Sequence, residues 1–187
     1  MTSITICLLS LTITTELSAD VISVCEAIEN RLELNGKAVK IRGVWGWSDS
    51  GSDLQAVIPC DRPTIVDGWL FSDTIDVNSG DWTVAGEYVG GGYVAKLRSL
   101  QKKHGYDVKV IATLSGRLQA RAHFKTFVRF GEEFPEAYGY YSVAGLRFSR
   151  ADDYQVVPYA QGELDRGYER QRRPMPKRVI PKEAPSH

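Results

Sequence analysis

The sequence lacks the motifs that mark common enzyme and metal sites. Its 187 residues include only three cysteines and three histidines, and no CxxC, HExxH or paired Cys/His spacing indicates a zinc site or a redox dithiol. A glycine run precedes Lys96 in "VGGGYVAKL", but Leu97 stands where a phosphate-binding loop needs Ser or Thr. The GxSxG elbow of many hydrolases is missing too. We therefore expect no metal and no cofactor, and the sequence favours a protein without catalytic activity.

An excess of charge of one sign is also missing. The chain carries 23 Lys and Arg against 23 Asp and Glu, so its formal net charge is zero. No overall field then attracts nucleic acid or an anionic membrane, and electrostatic recognition must come from a local patch. Past the N-terminus, no apolar run is long enough to span a bilayer.

The N-terminus resembles an export signal. Residues 4–13, "ITICLLSLTI", form a short apolar run, and Leu17 and Ala19 follow at the −3 and −1 positions of a signal-peptidase site. The usual positive region is absent, because Arg31 is the first basic residue. We expect residues 1–19 to be a signal peptide cleaved after Ala19, which makes the protein periplasmic or extracellular. The alternative is a buried N-terminal strand.

The cysteine count agrees with export. Cleavage of the signal removes Cys7 and leaves Cys25 and Cys60. An even pair in an exported chain predicts one structural disulfide between them. The alternative, two buried free thiols, is the ordinary interpretation for a cytosolic protein.

Hydrophobic periodicity predicts a small barrel with two helices. Helical spacing covers residues 21–36 and 93–105, while period-two or strand-like composition covers 37–47, 53–60, 81–89, 108–124 and 144–159. The fourth strand keeps one parity of apolar residues throughout, so we expect it to be continuous and bent at Gly116. We therefore expect a mainly β, α+β fold: an OB-like, closed or partly open five-stranded barrel. A two-sheet sandwich would need more strands.

A segment near the start carries a family resemblance. "SVCEAIENRLELNGKAVKIRG" resembles the opening of uncharacterised exported bacterial proteins, which continue to a second cysteine, here Cys60, and a later Gly-Arg-Leu, here Gly116-Arg117-Leu118. The resemblance covers roughly residues 20–157. It implies an OB-like domain and an exported location, and it implies no activity.

Composition changes beyond residue 160. The segment 161–187 holds seven Lys or Arg against four Asp or Glu and is rich in proline. Such a segment buries too little apolar surface to offset the entropy lost on ordering. We expect a barrel domain over residues 20–160, followed by a basic, mobile tail over 161–187. The tail is interpreted as a solubilising terminus or as a basic anchor.

The stretch "GRLQARAHFK" supplies the candidate ligand face. Alternation along a strand would place its polar and basic side chains on one surface: Arg117, Gln119, Arg121, His123 and Lys125. OB barrels bind polymers across a strand face, using cations for charged backbones. The alternative is that these residues form the solvated face of a half-buried strand.

Three functions remain open. The first is an exported, non-enzymatic binding module for an anionic polymer, a glycan or a protein partner. The second is an extracytoplasmic hydrolase of cell-wall or extracellular polymer that uses an unrecognised acid pair. The third, a cytosolic binder of single-stranded nucleic acid, applies if the N-terminus is not a signal; nucleic acid is not an expected partner of an exported chain.

Overall fold

The computed structural model describes residues 20–48, 51–77, 83–84, 87–88, 91–105, 108–138, 142–160 and 176–179. The predicted signal peptide, residues 1–19, lies outside them. Within the described residues the chain is mainly β, with three short helices. Its elements, in order, are β1 Val21–Ser23, α1 Val24–Glu29, α2 Arg31–Leu34, β2 Ala38–Ser48, β3 Gly51–Gln55, β4 Thr64–Val66, β5 Trp69–Phe71, β6 Thr74–Val77, β7 Thr83–Val84, β8 Glu87–Tyr88, α3 Gly91–His104, β9 Val108–Ala120, β10 Thr126–Arg129, β11 Glu132–Pro135, β12 Ala144–Pro158 and β13 Lys177–Arg178.

Five of these strands close into a barrel. The pairing runs β2–β3–β6–β12–β9, and β9 pairs back to β2, which closes the sheet. Neighbouring strands are antiparallel except β6 and β12, which are parallel. If the five barrel strands are numbered 1 to 5 along the chain, they pair in the order 1-2-3-5-4-1. Helix α3 lies between the third and the fourth of them along the chain. This confirms the predicted five-stranded, OB-like barrel.

The barrel interior is filled by alternate residues of its strands. Side chains that point inward are almost completely buried, and they include Ile41, Trp45, Leu54, Ile75, Val77, Leu114, Leu118 and Leu146. The expected period of two along β2 and β9 is therefore what builds the core. From α1, Val24 and Ile28 join the same core, so this helix packs onto the barrel.

The fourth barrel strand, β9, is continuous as predicted but ends at Ala120 rather than at 124. Gly116 of β9 pairs with Phe148 of the antiparallel neighbour β12, next to a register shift between Phe148 and Arg150. A Cβ atom on Gly116 would overlap the backbone carbonyl of Arg147. Close approach of two backbones thus explains the glycine.

The N-terminal helix begins later than the periodicity predicted. Residues 21–23 form β1, which pairs in parallel with β2. A capping box starts α1: the Ser23 hydroxyl accepts a hydrogen bond from the Glu26 amide at 3.1 Å, and Ser23 N donates to Glu26 Oε2 at 2.7 Å. The Ser-x-x-Glu spacing in the sequence is the signature of this cap. Asn30 then separates α1 from α2.

The third barrel strand was predicted in the wrong place. The chain uses Thr74–Val77 (β6), whereas the described parts of 81–89, β7 and β8, pair only with each other. Thr74-Ile75-Asp76-Val77 does alternate polar and apolar residues, but four residues are too short a window to stand out against the longer strand-like stretch at 81–89. The second strand is also shorter than predicted: it ends at Gln55, before the chain turns towards Cys60.

A small second sheet lies beside the barrel. Its order is β13-β5-β4, and the Asp67-Gly68 turn joins β4 to β5. Both turn residues have positive φ, as a two-residue hairpin turn requires. The described part of the predicted mobile tail, residues 176–179, includes β13, so this stretch is ordered against β5. The remainder of 161–187 lies outside the described residues. None of the described helices has the length and apolar character of a membrane span.

Candidate functional site

Three connections meet at one end of the barrel, which we call the lower end. Because β6 and β12 are parallel and both are antiparallel to the strands before them, the β3–β6 and β9–β12 connections emerge together. The turn before β2 lies there too, since β2 is antiparallel to β9. One direct contact is the hydrogen bond from the Ala120 amide to Asn35 Oδ1 at 2.9 Å. Side chains far apart in the sequence thus come together at the lower end.

The predicted ligand face divides at this end of the barrel. We call its residues the cationic row: Arg117, Gln119, Arg121, His123 and Lys125. Arg117 and Gln119 belong to β9, whereas Arg121, His123 and Lys125 follow in a loop where strand alternation no longer holds. Arg117 Nη1 donates to the carbonyl of Gly36. Arg121 Nη1 donates to the backbone oxygen of residue 136 at 3.3 Å, and its guanidinium lies over the Tyr138 ring. Two of the cations therefore hold the protein's own loops.

His123 lies in the β9–β12 connection and contacts Asp67 in the turn between β4 and β5. Its Nδ1 lies 2.8 Å from Asp67 Oδ1, while the Phe124 amide donates to Asp67 Oδ2 at 2.8 Å. The hydrogen bonds from the His123 ring and then from the Phe124 amide, together with the charge of His123, hold the pKa of Asp67 below its ordinary value. This carboxylate therefore fastens the β9–β12 connection to the turn between β4 and β5.

The outer face of β3 and β6 is where OB barrels usually bind polymers. Here Asp53 and Asp76 lie directly opposite each other across the two strands, flanked by Gly46 on β2 and Gly145 on β12. Asp53 is 1% exposed and Asp76 is 8% exposed, and neither is without a partner. Two carboxylates do converge, but their burial keeps them from contact with a polymer.

An open groove lies between the helices and β4, and we call it the α1–β4 groove. Its volume is about 410 Å³, within the usual range of ligand sites. The helical wall is lined chiefly by Ile28, Glu29 and Arg31. The opposite wall, the loop wall, is formed by the loop before β4 and by β4 itself and is lined chiefly by Asp61, Arg62 and Ile65.

The Cys25–Cys60 disulfide joins the two walls of the groove. The Cα atoms of the two cysteines are 5.5 Å apart, which confirms the predicted bridge. The loop wall is held on its other side as well, since the Cys60 amide donates to Asp73 Oδ2 at 3.0 Å. A covalent bond and a hydrogen bond therefore fix the position of the loop wall relative to α1.

The charged side chains of the α1–β4 groove form no ion pairs within the described part of the chain. Among the described residues, Glu29, Asp61 and Arg62 take part in no ion pair. Arg31 Nη1 donates to the Ile28 carbonyl at 3.3 Å, while its Nε is buried without an acceptor. A groove lined by charged side chains without ion pairs can bind a polar ligand.

The sequence interpretation missed this groove. Its residues come from two segments that only the fold and the disulfide bring together, and no motif marks either one. The nearest signal was "CDRP" at 60–63, where two charged residues directly follow a predicted half-cystine.

Comparison of the chain with protein-family models, with curated proteins and with solved structures finds no match.

Proposed function

We propose that this chain is an exported, non-enzymatic binding module whose ligand site is the α1–β4 groove. The observation that carries the proposal is the groove itself, in which four charged side chains without ion pairs surround a volume of about 410 Å³ braced by a disulfide. Ligand pockets combine an apolar surface with a few placed polar groups, and the exposed side chain of Ile65 provides apolar surface here.

Three observations support export. A disulfide is typical of the oxidising compartments outside the cytoplasm. The apolar run at residues 4–13, followed by Leu17 and Ala19, fits a signal cleaved after Ala19. The resemblance of residues 20–157 to exported bacterial proteins points to the periplasm or the extracellular space.

Among the ligand classes, a protein partner is favoured over an anionic polymer. The predicted cationic row commits Arg117 and Arg121 to backbone carbonyls of the protein, so it does not form a continuous track of unpaired cations for a polymer backbone. On the usual polymer face, Asp53 and Asp76 are buried. The groove balances two arginines against two acids, so it holds no excess of cations that would attract a polyanion.

The other two functions have less support. The convergent Asp53 and Asp76 are too buried to act as the acid pair of a polymer hydrolase. A cytosolic binder of single-stranded nucleic acid would not be expected to carry a disulfide.

A thermal-shift panel tests the proposed site. The probes are inorganic polyphosphate, a hexamer of N-acetylglucosamine and a blocked, extended heptapeptide. We expect at least one probe class to raise the melting temperature of the wild type, and Ile65→Arg to abolish that shift because the new side chain fills the groove.

Two controls locate the effect. Val128→Arg makes the same change at another exposed aliphatic residue on a short strand, β10, and should keep the shift. The double variant Arg117→Ala/Arg121→Ala should keep it as well. If the shift survives in Ile65→Arg but disappears in the double variant, the ligand site is the cationic row and the proposal is wrong. If none of the probes raises the melting temperature of the wild type or of any variant, the proposal is also refuted.

A further inference from the structure

One edge of the small sheet opens into the α1–β4 groove. Strand β4 is terminal in the order β13-β5-β4, and its Thr64 and Ile65 line the groove. The two-residue Asp67-Gly68 turn makes Val66 and Trp69 a hydrogen-bonded pair, and pairs alternate along an antiparallel ladder. Ile65 therefore directs its backbone N–H and C=O away from β5, towards the groove.

The opposite edge of this sheet already holds an extended segment. Lys177 and Arg178 pair with β5 in antiparallel fashion, and the Val179 amide donates to the Gly68 carbonyl at 2.6 Å. Arg178 also pairs with Glu133 Oε2 at 2.5 Å. The sheet thus accepts a short strand that arrives from a distant part of the chain, which favours an extended peptide as the occupant of its second edge.

Arg31 is the strongest electrostatic feature of the groove. It is half-buried, whereas Glu29, Asp61 and Arg62 are exposed, and a charge interaction gains strength as water is removed. Its Nη1 is used by the Ile28 carbonyl, and its buried Nε lacks an acceptor. A carboxylate placed in the groove would bind this guanidinium through a charge-assisted hydrogen bond.

We propose that the α1–β4 groove binds an extended acidic peptide segment of a partner protein. The segment adds a strand to the edge of β4 through the backbone of Ile65, and the carboxylate of its Asp or Glu side chain binds Arg31. An apolar residue of the segment packs on the exposed Ile65 side chain. This inference names the ligand of the groove and therefore rests on the proposed function.

Backbone NMR titration tests the peptide directly. The probe is acetyl-Thr-Val-Thr-Glu-Thr-Val-Thr-amide, whose valines and glutamate share one face when extended. Three relatives serve as controls: a copy with Gln in place of Glu, and two copies N-methylated at alternate residues in the two registers. We expect amide shifts at Ile65, Thr64 and Arg62, affinity about tenfold weaker for the Gln copy, and loss of binding for one of the N-methylated copies.

Variants of the chain check each contact. Arg31→Met should weaken the Glu peptide about tenfold and leave the Gln peptide unchanged, whereas Arg31→Lys should restore part of the difference. Ile65→Pro removes the unpaired N–H, a change that an edge position tolerates, and should abolish the shifts. Equal binding of the Glu and Gln peptides, or of every N-methylated copy, would overturn the inference even if Ile65→Pro failed to fold.

The result also separates this inference from the proposed function. If the peptide leaves the groove amides unshifted while polyphosphate or the hexasaccharide shifts them, the groove binds another class of ligand; the inference is wrong and the proposed function stands. If none of the probes shifts groove amides, both are wrong.

Discussion

Asp67 joins two connections of the barrel through a single carboxylate. It occupies a turn position with φ of 51°, a conformation that Asp and Asn adopt more readily than most residues. Each of its oxygens accepts one hydrogen bond, from His123 and from the Phe124 amide. The side chain therefore serves both the hairpin turn and the loop after β9.

Asp67→Asn should destabilise the protein at neutral pH and not at acid pH. The folded-state pKa of Asp67 is lowered, so its contribution to stability is present above the unfolded value of about 3.9 and is lost as pH falls through the lower folded value. Asn keeps the turn geometry but loses the charge. In urea unfolding we expect a loss of about 1 kcal/mol at pH 7, because the pair is largely exposed, and almost none at the lowest accessible pH. An equal loss at both pH values would contradict the electrostatic explanation.

At position 116 only glycine fits, because the backbone of the paired strand β12 leaves no room for a side chain. The space for a Cβ atom on Gly116 is taken by the Arg147 carbonyl, and the Phe148 Cα would lie only 3.0 Å away. Backbone atoms cannot turn aside as the end of a side chain can.

Gly116→Ala should therefore cost about 1–3 kcal/mol, as overpacking of a closed core does. Urea unfolding of the variant beside Ser115→Ala, a small change at the preceding position, measures it. If the two variants were equally stable, the close approach of β9 and β12 would not limit this position.

At the residue scale, the sequence predicted the exposure of side chains better than it predicted their hydrogen-bond partners. The arginines at 117 and 121 were correctly seen as polar and exposed, but their acceptors, the carbonyl of Gly36 and that of residue 136, are backbone atoms that no side-chain pattern reveals. Asp67 escaped notice because its two partners are more than fifty positions away.

The element with the largest single influence on the site is the loop that leads from β3 to β4. It carries Cys60, and the disulfide closes a separation of 35 residues back to α1. In the chain-entropy model, closing a loop of this length stabilises the fold by about 4 kcal/mol. The same bond joins the two walls of the α1–β4 groove.

Cys25→Ser/Cys60→Ser should lower the free energy of unfolding by about 4 kcal/mol and should weaken binding in the groove. Reduction of the wild type should reproduce both changes, which separates the loss of the bond from the effect of the new serines. A loss below about 1 kcal/mol, with binding intact, would show that the bridge supports neither the fold nor the site.

Elements were predictable where they were long. The eleven residues of β2 and the thirteen of β9 carry enough period-two signal to be recognised. The four residues of β6 do not, so the third strand was assigned to 81–89 instead. The start of α1 depended on the cap formed by Ser23 and Glu26, which overrides the apolar spacing that continues to Val21.

At the scale of the whole molecule, the barrel was predictable and the groove was not. The order of strands and helices limits the possible folds to a few, because a helix between the third and fourth of five bent strands suits an OB-like barrel. The groove arises from tertiary placement: helices before the barrel, a hairpin inserted between its second and third strands, and one disulfide between them. No local pattern specifies that juxtaposition.

The central claim is that this is an exported binding module braced by one disulfide. The most direct test is the intact mass of protein produced from the full reading frame, measured with and without reduction and alkylation. We predict a mature chain that begins at Asp20 and gains two alkyl groups only after reduction, at Cys25 and Cys60. A chain that retains Cys7, with all three thiols alkylated before reduction, would contradict both export and the bridge.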